Sequence, residues 1–167
     1  MSLKKILVRD LHSGNILIYD NSVVITSDSC SFANDLISKP DSKSNDTYGS
    51  LPYIPPEVLR GNSFTQKGDM YSFGGIMYEI ATGKRPFYDQ AHDTYLIIDI
   101  CNGVRPKVPD IMLNWIPERY LDLMYRCWSD DPSNRPTAEE ISDEMDNWYG
   151  INNLAQQLKI EIGRAHV

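Results

Sequence analysis

The run from Asp69 to Gly83 constrains this chain more than any other segment. Met70, Phe73, Ile76, Met77 and Ile80 fall on nearly every face of a helix drawn through it. A helix that is apolar all round must be enclosed by other elements, so the run predicts a buried, central helix over 70–82. Asp69 can cap its start. Gly83 ends it, and Pro86 lies just beyond. Gly74 and Gly75 weaken the helix from within, which implies that another backbone approaches closely there.

The remaining elements arrange themselves around this one. A helix fits 92–102, closed by Gly103. Another fits 117–128, with Pro117 in its first turn and Leu121, Leu123, Met124 and Cys127 on its apolar side. Thr137-Ala-Glu-Glu140 is a capping box that opens a last helix, running to about Trp148. Upstream, Asn15-Ile-Leu-Ile18 and Val23-Val-Ile-Thr26 read as a β-hairpin across Tyr19–Ser22. Residues 37–50 are rich in Ser, Asp, Asn and Lys and read as a polar loop. Pro52, Pro55 and Pro56 forbid a regular helix before about Glu57. The predicted fold class is mainly α with one small hairpin and no internal repeat.

Composition narrows the function classes. With 167 residues, 41% of them hydrophobic and 10% aromatic, the chain can build one packed domain. A net charge of −7 and the lack of a basic run argue against nucleic acid as a partner. Cys30, Cys101 and Cys127 have no CxxC spacing, which supports reduced thiols rather than disulfides or zinc. No stretch approaches the length of a membrane helix. The opening Met-Ser-Leu-Lys-Lys-Ile-Leu-Val is too short for a signal peptide, so a soluble, cytoplasmic protein is expected. Residues 162–167, Ile-Gly-Arg-Ala-His-Val, read as the translation of a sequencing adapter and are set aside from fold reasoning.

Five constellations carry chemistry. In Val8-Arg-Asp-Leu-His-Ser-Gly-Asn15, Asp10 and Asn15 sit on a loop before the hairpin and can face one site. There the Asp can accept a hydroxyl proton and the Asn can hold a metal ion; both are also ordinary turn residues. Asp28 follows the return strand and can add a second hard oxygen ligand for magnesium, or simply end the strand in an Asx-turn. Pro55-Pro-Glu57, Asp69-Met-Tyr-Ser-Phe-Gly74, and Arg135 within Asp131-Pro-Ser-Asn-Arg-Pro-Thr137 each admit a plain reading as loop and cap residues.

In order and spacing, the five together resemble the signature set of the eukaryotic protein kinase family, with most likeness to its tyrosine-kinase-like serine/threonine group. Val8-Arg9-Asp10…Asn15 resembles the catalytic loop, and Asp28-Ser-Cys30 a degraded DFG. Gly49-Ser-Leu-Pro-Tyr-Ile-Pro-Pro-Glu57 resembles the end of the activation segment. The helix near Asp69 is similar to the family's central helix, and Cys127-Trp…Asp131-Pro…Arg135-Pro-Thr137 to its closing helices. The resemblance covers about residues 8–148 and implies the C-terminal, helical lobe of the kinase fold. It implies a partial kinase domain over 1–148, an extension over 149–161 and the adapter-like tail.

The resemblance also implies roles. Asp10 would be the base for the substrate hydroxyl. Asn15 and Asp28 would hold the magnesium ions of Mg-ATP. Arg9 would dock a phosphate on the activation segment, with Thr47 as the candidate acceptor and Asp46 as a charge already in place. Ser50 would mark a serine/threonine enzyme acting on protein substrates. Glu57 and Arg135 would form a buried ion pair, and Asp69 would brace the catalytic loop. Four positions depart from the pattern. Val8 replaces the usual His. His12 replaces a lysine at the γ-phosphate and gives it a pH-dependent partner, or serves only as a surface side chain. Ser29 and Cys30 replace the Phe and Gly of DFG. A one-residue shift in the hairpin would put Ser27 in place of Asp28, though no other acid lies near.

No glycine-rich loop, strand lysine or αC glutamate occurs in this sequence, so the N-terminal lobe is read as missing. For the chain as written, no kinase activity, exposed apolar surface and a tendency to aggregate are expected. The alternative to a kinase is a pseudokinase-like binding fragment that offers the 92–102 region to partners.

Overall fold

The computed structural model describes residues 11–19, 22–25 and 51–148. Two strands, β1 (Ile16–Tyr19) and β2 (Ser22–Ile25), are followed by α1 (Pro56–Leu59), α2 (Gln66–Thr82), α3 (Thr94–Cys101), α4 (Asp110–Leu113) and α5 (Glu118–Cys127). Helix α6 covers 138–148. Single 3₁₀ turns lie at Ser13–Asn15, Leu51–Tyr53 and Pro132–Asn134. The described part is therefore a mainly helical lobe with one antiparallel hairpin, in which Ile16 pairs with Ile25 and Tyr19 with Ser22. The polar loop over 37–50, the extension over 149–161 and the tail over 162–167 lie outside the described residues, as does Cys30.

Helix α2 is the enclosed element, but it starts earlier than Asp69. Thr65, in extended conformation, is the N-cap: its hydroxyl accepts a hydrogen bond from the Gly68 N–H at 3.2 Å. Asp69 therefore does not cap the helix. It lies in the first turn and is buried. At the other end Gly83 takes the left-handed conformation (φ 68°) and its N–H reaches the Glu79 carbonyl at 2.8 Å. Tyr71, Ser72, Gly74, Gly75, Ile76, Met77 and Tyr78 are all buried, which is burial around the whole circumference. Ile80 is the exception to the expected pattern at 73% exposed. Enclosure belongs to the middle turns of α2, and at this position the last turn leaves it.

The two helix glycines mark where neighbours press closest. A Cβ on Gly74 would lie 2.9 Å from Cβ of Cys127 and from the Trp128 ring, and one on Gly75 would lie 2.8 Å from the Tyr53 ring. The close partners are thus side chains and not, as expected, a second backbone. Helix α5 packs on α2 and buries Leu123, Met124 and Cys127, and the Tyr120 hydroxyl donates to the Met77 carbonyl at 2.7 Å. Leu121, expected on the same side, is only half-buried.

Helix α3 is capped by Asp93, whose carboxylate accepts from the N–H groups of Tyr95 and Leu96. It buries Leu96 and Ile100 and ends at Cys101, with Gly103 in a positive-φ conformation beyond. Arg105 ties the end of α3 to the end of α5 through the carbonyls of Ile100 and Trp128, both at 3.0 Å. Helix α4 was not anticipated. It is one turn long and buries no residue, so it leaves no apolar periodicity to detect. Cys101 and Cys127 are free thiols.

The chain divides into two compact units between Arg135 and Pro136. In the second, the capping box is formed. The Glu140 N–H donates to the Thr137 hydroxyl at 3.1 Å, and the Thr137 N–H donates to the Glu140 carboxylate at 2.6 Å.

Candidate active site

Two turns and one buried ion pair carry the described part of the site. The first follows Leu11, which is buried with Tyr53 and Ile76 and has Ile16 and Phe73 packed beside it. This small apolar cluster seats the next four residues. His12 is extended, and its Nδ1 accepts a hydrogen bond from the Gly14 N–H at 3.1 Å. The Asn15 N–H donates to the His12 carbonyl at 3.0 Å, which closes the Ser13–Asn15 turn just before β1. Gly14 leaves room for the ring: a Cβ would lie 2.9 Å from Cε1 of His12, and the ring would have to shift.

The second turn, Leu51–Tyr53, is fastened to α2 at two points. The buried Ser72 hydroxyl donates to the Tyr53 carbonyl at 2.8 Å, and the Tyr53 hydroxyl donates to the Glu79 carboxylate at 2.6 Å. Burial first, then the Glu79 carboxylate, push the Tyr53 phenol well above its ordinary range; a hydrogen bond with the Ser13 side chain opposes them. The His12 and Tyr53 rings face each other with centroids 6.1 Å apart and planes tilted by 46°. The first two turns therefore meet.

The third feature is a buried ion pair that joins α1 to the segment after α5. Arg135 is 1% exposed, and its guanidinium grips the Glu57 carboxylate with two bonds, Nη1–Oε1 at 2.7 Å and Nη2–Oε2 at 2.8 Å. Two further N–H groups reach the carbonyls of Ser129 and Lys67, each at 2.9 Å. Two guanidinium groups, those of Arg105 and Arg135, each lie over the Tyr71 ring, 5.2 Å from its centroid. Burial pushes the Tyr71 hydroxyl up to about 12, and the two arginines oppose that rise. Among the described residues no buried side-chain nitrogen or oxygen lacks a hydrogen-bond partner, so the buried Asp69 carboxylate is satisfied.

The structure thus brings His12 and Asn15 onto one turn and joins Glu57 to Arg135. Arg9, Asp10, Asp28, Thr47 and Ser50 lie outside the described residues. Among the described residues no cluster of three His, Cys, Asp or Glu side chains could hold a metal ion. The oxygen donors of Asn15 and Asp28 are nonetheless of the hard type that magnesium prefers. Sequence reasoning did not single out Tyr53, Ser72 or Glu79. Ser72 and Glu79 are seven residues apart, on one face of the predicted helix, and that pairing of polar groups on a buried helix was the available signal.

Residues 1–145 match the protein tyrosine and serine/threonine kinase family, and the chain belongs to that family. It is similar to the probable serine/threonine-protein kinase roco5 of Dictyostelium discoideum, with 32% identity over 154 residues, 89% of this chain and 6% of that protein. It is also similar to mitogen-activated protein kinase kinase kinase 7 of Homo sapiens, with 32% identity over 142 residues, 84% of this chain and 22% of that protein. A third similarity is to the protein kinase and PP2C-like domain-containing protein of Arabidopsis thaliana, 34% identical over 123 residues, 65% of this chain and 18% of that protein. The chain therefore spans a small fraction of the length of the relatives it matches. No helix among the described residues is long and apolar enough to cross a membrane.

Proposed function

We propose that this chain forms the helical, substrate-binding lobe of an ATP-dependent serine/threonine kinase of the tyrosine-kinase-like group, acting on protein substrates in the cytoplasm. The observation that carries this reading is the meeting of the two turns. His12 lies two residues from Asp10, and Tyr53 three residues from Ser50. In this reading Asp10 is the base for the hydroxyl of a protein substrate. Asn15 and Asp28 would hold magnesium, which supplies charge neutralisation on the nucleotide phosphates. The Glu57–Arg135 pair and Asp69 are structural in this reading. Arg9 would receive a phosphate carried by Thr47, and Arg9→Ala should remove any response to that phosphorylation.

The test is γ-phosphate transfer from ATP to serine, threonine and tyrosine peptides by the full-length protein that contains this chain. Serine and threonine peptides should be labelled and tyrosine peptides should not. Asp10→Asn should slow transfer by about 10²–10⁴-fold, the usual contribution of a general base. Transfer that survives Asp10→Asn unchanged would refute the assignment.

Val8, Ser29 and Cys30 favour a second reading, a pseudokinase-like module that binds partners without catalysis. Magnesium-dependent ATP binding separates the two. Binding by the full-length protein supports the enzyme, and its absence supports the module.

A further inference from the structure

His12 stands where a lysine is expected to face the γ-phosphate, yet its ring is turned back onto its own turn. Nδ1 accepts from the Gly14 N–H, and the residue's own carbonyl accepts from the Asn15 N–H. An acceptor on the N-cap side chain that satisfies an orphan N–H is the standard way to hold the start of a helical turn. A lysine cannot do this, because its ammonium group has donors only. The ring also fills the space above Gly14 and rests against Tyr53, whose turn is fixed to α2 by Ser72 and Glu79.

We infer that His12 is a positioning residue: it caps the Ser13–Asn15 turn, braces it against Tyr53, and so orients Asn15 for its metal. This rests on the kinase reading of Asn15, and it departs from that reading's pattern in giving the lysine position a capping task. Gly14 is the matching half of the device, since a side chain there would displace the ring.

The test uses the full-length protein with three substitutions at one position. His12→Asn keeps a capping acceptor and carries no charge. His12→Lys restores the family's cation and removes the acceptor. His12→Ala removes both. Two readouts are taken: amide hydrogen exchange at Gly14, and Mn²⁺ affinity in the presence of ATP, followed by its paramagnetic signal. Loss of one cap corresponds to about fivefold, so exchange at Gly14 should quicken and Mn²⁺ affinity weaken by about that factor in the Lys and Ala variants. His12→Asn should restore both towards the wild-type values.

If His12→Lys binds Mn²⁺ as well as wild type while His12→Asn does not, the phosphate-contact role is correct and the capping role is wrong. Equal exchange at Gly14 in all four proteins would also overturn the inference. If no protein binds Mn²⁺ or transfers phosphate but the exchange pattern holds, the cap is supported. The kinase reading fails in that case, and with it Asn15's role towards metal.

Discussion

Replacing Arg135 with methionine tests the framework behind the site. Met matches the length of the aliphatic stem but carries none of the guanidinium donors. The substitution removes two bonds to the Glu57 carboxylate and the bonds to the Ser129 and Lys67 carbonyls. The Glu57 side chain is only 12% exposed, so water replaces little of what is lost. Breaking one side of a buried ion pair costs about 3–5 kcal/mol, because the remaining charge is left unpaired. For a chain of this size each kcal/mol lowers the melting temperature by roughly 2–4 °C, so a fall of roughly 6–20 °C is expected. The double variant Glu57→Leu/Arg135→Met removes the stranded charge and should regain part of the loss. Recovery should be incomplete, since the bonds from Arg135 to the two backbone carbonyls are not restored. Urea unfolding followed by circular dichroism, at low and high salt, measures each term. Salt should change the difference little, because a buried pair is weakly screened. A single variant that loses less than about 1 kcal/mol, or a double variant no better than the single, would show that the pair is not the buried lock described here.

Three further outcomes are expected. Burial holds Tyr71, Tyr120 and Cys127 at about 12, above their ordinary 10.0, 10.0 and 9.0. Between those values the folded chain keeps protons that the unfolded chain releases, so their stabilisation is complete below about pH 9 and is lost as pH rises towards 12. Melting temperatures measured from pH 7 to 11 should therefore hold level and then fall, and a flat profile would contradict the burial of these groups. Gly74→Ala should destabilise by about 1–3 kcal/mol, because the new methyl meets Cys127 and Trp128 and neither neighbour is free to retreat. Tyr53→Phe should cost about 1.5–3 kcal/mol in urea unfolding, the range for a hydrogen bond to a charged group, and should leave α-helix content unchanged.

Much of the lobe was legible in the sequence where a local rule decides the outcome. Gly83 stops α2, and Thr137 with Glu140 starts α6, because the backbone groups at helix ends need partners within a few residues. The start of α2 was misplaced because Thr65 and Asp69 are both competent caps four residues apart, and only the extended backbone of Thr65 decides between them. The exposure of Ile80 was invisible for a related reason. Periodicity says which faces are apolar, but not how far along the axis other elements reach. The Glu57–Arg135 pair, separated by 78 residues, follows from no spacing rule and was reached only through family resemblance. The capping role of His12 escaped because imidazole is rarely considered among capping side chains, although its unprotonated nitrogen is a good acceptor.

The two fastenings of Tyr53 bear on motion. Ser72 and Glu79 are seven residues apart, so the carbonyl and hydroxyl of one tyrosine are anchored about 10 Å apart along the α2 axis. A single anchor would let the Leu51–Tyr53 turn swivel, whereas two fix both its position and its heading. With Gly75 admitting the ring against the helix surface, the turn cannot slide without breaking both bonds or carrying α2 with it. The Leu51–Tyr53 turn and α2 therefore move as one piece.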